Sequence, residues 1–209
     1  DSNVIELTGI CSSLIMDFYA KARGKGSITS SPLRLFPMGI PQEIKPYLNL
    51  RVLLRNCLNK HYTDLWMESY LPSFQKDVWS KIDPRIKLNE ALSNTWSWNT
   101  PLRNYYERRW AQIEIDVLVA ISFGLTVDDL EQMYEIQFPV LQQNEDDTWY
   151  DIKGNIVFTC SKGLVGVGVD RAVWEQIMNL EAGQAYEHTI TKSELYQGKK
   201  VVYHAPFDK

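Results

Sequence analysis

At 209 residues, with 44% apolar and 23% charged side chains, the chain can bury one large core or two small ones and is too apolar for a disordered polymer. A formal charge of −4 argues against a surface that is basic throughout but leaves room for a local basic patch. Cys11, Cys57 and Cys160 are widely spaced, and His61, His188 and His204 are scattered, so neither a zinc site nor a disulfide framework is implied, and a reduced, cytoplasmic chain fits best.

The chain opens on Asp1 and enters helical periodicity almost at once, which reads as a piece of something longer. Ile5, Leu7, Ile10, Leu14, Ile15 and Phe18 predict a first helix over Val4–Ala22, ended by Gly24 and Gly26. From Gly24 to Pro46 the residues are loop-forming, with a short extended piece around Leu33–Phe36. Helices are predicted over Tyr47–Lys60 and Tyr62–Ser80, then a turn at Asp83-Pro84 and a short helix over Leu88–Leu92. Thr100-Pro101 predicts a capped start for a long helix running to Phe123 and stopped by Gly124. Thr126 with Asp129 is a capping box for the next helix, which Pro139 ends.

Beyond it, Trp149–Ile152 and Asn155–Cys160 flank Lys153-Gly154 as a β-hairpin, followed by a helix over Arg171–Leu180 and strands at Thr189–Thr191 and Lys200–Tyr203. The expected class is α+β, mainly α: a helical core with a small C-terminal part that contains a β-hairpin. The most apolar run, Val117–Gly124, is too short to span a bilayer, so no membrane partner is expected. Seven tryptophans and eleven tyrosines are expected to go to the core first.

The basic segment from Lys21 to Arg34 is the first candidate site. No acid occurs between Asp17 and Glu43, so Lys21, Arg23, Lys25 and Arg34 are expected to act without local neutralisation. Glycines let backbone N–H groups approach an anion, and Ser27 adds a hydroxyl donor, a combination suited to phosphate contacts on DNA. A solvated helix end with its usual cations is the plainer reading. A second acid-free run, Ile152–Val169, carries Lys153 and Lys162 as further phosphate contacts. Arg103, Arg108 and Arg109 are candidates for partner or DNA contact, against pairing with Glu107 and other surface acids.

Several familiar sites are missing from the sequence. GxxxxGK[ST] does not occur, and Gly163-Leu164-Val165-Gly166-Val167-Gly168 has the wrong order for a dinucleotide fingerprint. The helix pair joined by Gly124-Leu125-Thr126 imitates a helix-turn-helix, but Asp128, Asp129, Glu131 and Glu135 would face a polyanion, which favours an ordinary αα-hairpin. Glu114 and Asp116 are two apart on a helix and do not share a face. No [DNS]PP[YFW] tetrapeptide is present to hold a flipped adenine; Asn99-Thr100-Pro101-Leu102 and Ser31-Pro32-Leu33-Arg34 are not that motif.

Two stretches carry a family resemblance. Gly9–Tyr19, with Ser12-Ser13-Leu14, the Lys21–Gly26 loop and Leu35-Phe36-Pro37, resembles the end of the target-recognition region of type IIG-like adenine-N6 DNA methyltransferases. Arg108–Gly168, with Glu114-Ile115-Asp116, Gly124-Leu125-Thr126, Gln137-Phe138-Pro139-Val140 and Asp147-Thr148-Trp149-Tyr150-Asp151, is similar to the C-terminal extension of large methylase-like proteins of restriction–modification and DISARM-type anti-phage systems. The resemblance implies residues 1–45 as the end of a target-recognition-like region and 46–209 as a helical and β C-terminal module. It implies a parent that transfers methyl from S-adenosylmethionine to adenine in double-stranded DNA, with the catalytic domain N-terminal to Asp1. No catalytic residue, cofactor or metal is then expected in this chain. Its role would be DNA recognition or clamping, or else docking to another defence-system subunit.

Overall fold

The computed structural model describes residues 2–24, 34, 37–160 and 167–209. Among them are eight α-helices and two small antiparallel two-stranded sheets, an α+β fold dominated by helix. The residues group into two compact units. One holds residues 1–82, 87–103 and 108–138; the other holds 83–86, 104–107 and 139–209.

The first unit begins with α1 (Ser2–Ser12) and α2 (Leu14–Ala22), two helices where the sequence predicts one. The break is at Ser13, whose hydroxyl accepts the Met16 N–H and caps α2. α3 (Lys45–Asn56) packs on α1, and Gly9 permits the approach: a Cβ there would stand 3.0 Å from Leu48 and Val52 side chains. The single helix predicted over Tyr62–Ser80 is replaced by α4 (Thr63–Ser69) between 3₁₀ turns at Lys60–Tyr62 and Pro72–Lys76. Proline at position 72 cannot donate to a continuing helix, so the chain turns there, and Trp66, Tyr70 and Phe74 close into an aromatic cluster. The expected helix over Leu88–Leu92 is a single 3₁₀ turn, Asn89–Ala91.

The long helix α5 (Tyr105–Ser122) starts four residues later than Thr100-Pro101 suggests. Asn104 caps it, accepting the Glu107 N–H at 2.8 Å while the Glu107 carboxylate accepts the Asn104 N–H at 3.0 Å. Gly124 follows at φ +73°, as its stop position requires. α6 (Val127–Gln137) has both halves of the Thr126–Asp129 capping box. It packs on α2.

In the first unit Arg51, only 4% exposed, is held between Asp77 and Glu114, with the Trp79 ring 5.0 Å from its guanidinium. Glu114 Oε1 also accepts the Ser80 N–H and hydroxyl at 2.7 and 2.6 Å. Asp116 accepts instead the free N–H of Leu14 at the start of α2, at 2.8 Å, so the two acids do face different ways.

In the second unit Pro139 starts a short helix, α7 (Pro139–Asp146), rather than only ending one. β1 (Trp149–Tyr150) and β2 (Ile156–Phe158) form the hairpin, with Gly154 at φ +79° in its turn. Asp151, fully buried, holds that turn by accepting N–H groups of Lys153 and Asn155 at 2.9 and 2.8 Å. α8 (Arg171–Ile177), capped by Asp170, places Trp174 flat against Phe158 and beside Trp149 and Phe207. The last two strands, β3 (Ala185–Thr189) and β4 (Lys200–His204), pair antiparallel; the first of them begins four residues earlier than predicted.

Candidate nucleic-acid interface

Of the seven residues proposed from sequence for DNA contact, Lys21, Arg23, Arg34 and Lys153 are among the described residues. Lys25, Ser27 and Lys162 lie outside them, as do Leu33, Leu35 and Phe36 and the glycines at 163 and 166. Lys21 ends α2 and pairs with Asp17 at 3.0 Å, one helical turn back, so it is not without local neutralisation as expected. Its ammonium also sits 4.1 Å from the Phe138 ring centroid. An acid-free window downstream said nothing about the acid four residues upstream on the same helix face. Arg23 is exposed, hydrogen-bonded to the Tyr19 hydroxyl with its guanidinium 5.2 Å from that ring, and Arg34 is exposed. Lys153 belongs to the second unit, with its ammonium 2.8 Å from His204 Nε2.

A denser collection of cations lies in the first unit, around the segment from Trp98 to Leu102. A turn closes at its start, where the Thr100 N–H donates to the Ser97 carbonyl at 3.0 Å and Thr100 Oγ1 accepts the Ser97 N–H at 2.8 Å. At its end the Leu102 N–H donates to the Leu54 carbonyl on α3 at 2.9 Å. Thr100, read from sequence as a helix cap, therefore braces this turn instead.

Between those anchors five successive carbonyls each receive a bond from a cationic side chain. Arg103 donates twice to Trp98 O, at 3.1 and 2.9 Å. Lys87 Nζ reaches Asn99 O at 2.8 Å and Pro101 O at 3.1 Å, and bonds Thr100 O as well. Arg108 Nη1 reaches Leu102 O at 3.4 Å and, from the same nitrogen, Arg55 O on α3 at 2.8 Å. A hydrogen bond from a cation to a carbonyl fixes the position of that cation.

Arg55 is drawn into the same place. Its Nη1 bonds the Gln112 side chain, and its buried Nε has no hydrogen-bond partner. Burial, then the neighbouring Arg108, hold its pKa below the ordinary arginine value; Asp116 acts in the opposite direction and Arg109 again lowers it. Arg103 is lowered too, by desolvation and then by Arg108. Like charges thus stand close enough to feel one another, an arrangement that an anion such as a phosphate relieves.

Arg103, Arg108 and Arg109 were legible as candidates; Arg55 and Lys87 were not. Arg55 follows Arg51 by one turn on α3, and only the packing tells that one is buried between carboxylates while the other meets α5.

Among the described residues no three His, Cys, Asp or Glu side chains are placed to hold a metal ion. A cavity of about 230 Å³ in the first unit is lined by Glu43, Lys76 and Asp77 with Tyr47, Ser73 and Phe74, a mixed-charge lining in which Asp77 is already bound to Arg51. Among the described residues no helix is long and apolar enough to cross a membrane. Comparison with family models, curated proteins and solved structures finds no match.

Proposed function

We propose that the chain is a non-catalytic DNA-contacting module, the C-terminal recognition or clamping fragment of an S-adenosylmethionine-dependent adenine-N6 DNA methyltransferase from a restriction–modification or anti-phage system. The observation that carries DNA contact is the carbonyl-anchored set of Lys87, Arg103 and Arg108, with Arg55 and Arg109 beside it. Side chains locked before binding lose less rotamer entropy when a phosphate arrives. Arg23 and Arg34 at the basic loop, with Lys21, Lys25 and Ser27, and Lys153 and Lys162 in the hairpin region, supply further phosphate contacts in this reading. The methyltransferase parentage rests on the sequence resemblance alone. Methyl transfer, the bound S-adenosylmethionine and the flipped adenine belong to the parent's catalytic domain.

Duplex-DNA binding by the purified chain at low and moderate salt tests this reading. Binding that weakens steeply with salt, and that falls in an Arg103→Ala/Arg108→Ala double variant, supports phosphate contact at this surface. A Lys21→Ala/Arg23→Ala/Lys25→Ala triple variant reports separately on the basic loop. No binding at low salt refutes the reading.

A second reading, docking to another subunit of a defence complex, draws on one specific feature. Val117 and Ile121, one turn apart on α5, are 38% and 54% exposed, and α6 buries none of its residues fully while exposing Val127 and Ile136. An apolar interface of that kind is insensitive to salt, so the same titration separates the two readings.

A further inference from the structure

Tryptophan is ordinarily the residue a fold hides first, because it removes more apolar surface from water than any other. Six of the seven here are buried or partly so, and Trp98 alone is exposed, at 66%. Nothing about its position is loose. It stands at the second position of the Ser97–Thr100 turn, which a main-chain bond and a side-chain bond both close. Two residues earlier Trp96 is tied down through its indole N–H to Cys57 O at 2.8 Å, so the neighbouring backbone is fixed to the first unit.

The Arg103 guanidinium lies 3.9 Å from the Trp98 ring centroid while its Nε and Nη2 bind the main-chain oxygen of that same residue. One face of the ring is thereby backed by a cation, and the residue as a whole stays mostly exposed. The result is a π-surface at the tip of a turn, with the Lys87 and Arg108 side chains bound to the neighbouring carbonyls.

We infer that Trp98, backed by Arg103, is a stacking platform for an unpaired nucleobase, the adjoining cations holding the phosphates of the same strand. This rests on the DNA-contacting reading above and names its ligand: a DNA strand carrying at least one base out of the duplex stack. A base inside a duplex offers its edges to a protein, since both its faces are covered by neighbouring pairs. A single ring standing on a turn can stack only on a base whose face is free. The cations, in contrast, act on any phosphate backbone.

The test measures binding of a fluorescently labelled single strand and of the same sequence in a closed hairpin duplex, for the wild-type chain and for Trp98→Ala and Trp98→Phe. Thermal melts confirm that each variant folds, as a side chain exposed at a turn tip allows. The expected result is a single-strand affinity lowered on the order of tenfold in Trp98→Ala, duplex affinity changed less than about twofold, and most of the single-strand affinity kept by the phenylalanine. Equal losses on both ligands, or no loss on either, overturn the platform while leaving DNA contact standing. Failure of the wild-type chain to bind either ligand at low salt overturns both proposals together.

Discussion

Arg108 Nη1 donates to the main-chain oxygen of Arg55 at 2.8 Å, bringing two arginines from different helices to one point. The bond satisfies a carbonyl in the last turn of α3, which has no partner within its own helix. It does so with a cation that repels the Arg55 guanidinium, as the lowered pKa of Arg55 records after burial is allowed for. Attraction to the backbone and repulsion between the side chains act in opposite directions on stability.

Arg108→Ala should therefore change folding stability by less than about 1.5 kcal/mol, the lost hydrogen bond being offset by relief of repulsion. DNA affinity should fall, and the slope of log K against log salt should shrink by about one if this guanidinium meets a phosphate. Urea denaturation and a salt titration check the two halves. A large stability loss with an unchanged slope would make Arg108 a structural residue only.

Arg51 behaves in the opposite way. It lies between Asp77 and Glu114, all three side chains less than a tenth exposed. Arg51→Met leaves two carboxylates in the interior without their cation, and the expected cost is about 3–5 kcal/mol. Arg51→Met combined with Asp77→Asn and Glu114→Gln should recover part of that loss, because no unpaired charge then remains buried. Equal stability of the single and triple variants in urea would show that the packing of the arginine stem, not charge, is what matters.

The contrast between Arg51 and Arg55 marks the limit of what the sequence discloses. Elements set by local chemistry were legible: the Thr126–Asp129 capping box, the Gly124 stop and the turn at Lys153-Gly154 all need residues within a few positions of one another. Those set at a distance were not. Ser13 divides the first helix where Asp116, 102 positions away, accepts the freed Leu14 N–H, and no window of helical periodicity contains that information. Thr100 was read as a cap by its neighbour Pro101, whereas the later Asn104–Glu107 pair does the capping and Thr100 braces the Trp98 turn. The cationic surface around residues 98–102 collects side chains from three separate stretches, so Arg103, Arg108 and Arg109 were visible as candidates, whereas Arg55, Lys87 and the assembly were not.

Gly154 offers a test of backbone geometry in the second unit. Its φ of +79° strains any L side chain, and a Cβ there would stand 2.4 Å from the Asn104 side-chain oxygen that caps α5. Gly198 has nearly the same φ, +80°, with nothing within 4 Å of its Cβ position. Gly198→Ala should cost only the left-handed strain, about 1–2 kcal/mol. Gly154→Ala should cost clearly more, since it adds displacement of the cap. Equal costs in denaturant melts would mean that Asn104 moves aside freely.

Cysteine reactivity should follow burial. Cys57 is buried, and desolvation pushes its thiol up to about 11, so almost no thiolate exists near neutral pH. Cys11 is exposed, although partial desolvation raises its pKa as well. Brief treatment of the native chain with iodoacetamide, read by peptide mass spectrometry, should modify Cys11 well before Cys57. Comparable labelling of Cys57 would show that its surroundings open on the timescale of the reaction.

Acid should find a specific weak point at Asp83. Its carboxylate accepts from Arg85 Nε at 2.9 Å and Nη2 at 2.7 Å, while Arg85 also binds Asp208 and stacks over Tyr106 with 3.6 Å from guanidinium to ring centroid. The Arg85 side-chain bonds, more than the opposing burial, hold the Asp83 pKa far below the ordinary carboxylate range. In the unfolded chain Asp83 binds its proton near pH 4, so the stabilisation is complete above that value. It is lost as pH falls from there toward the folded pKa, because the unfolded state gains the proton first. Asp83→Asn should be less stable than the wild type at pH 7 and should approach it as pH is lowered below 4. Stability measured in urea at steps from pH 7 to pH 2 gives both curves. Convergence at low pH confirms the linkage, whereas parallel curves would show that Asp83 and Arg85 hold each other by hydrogen bonds whose strength does not depend on the charge of the acid.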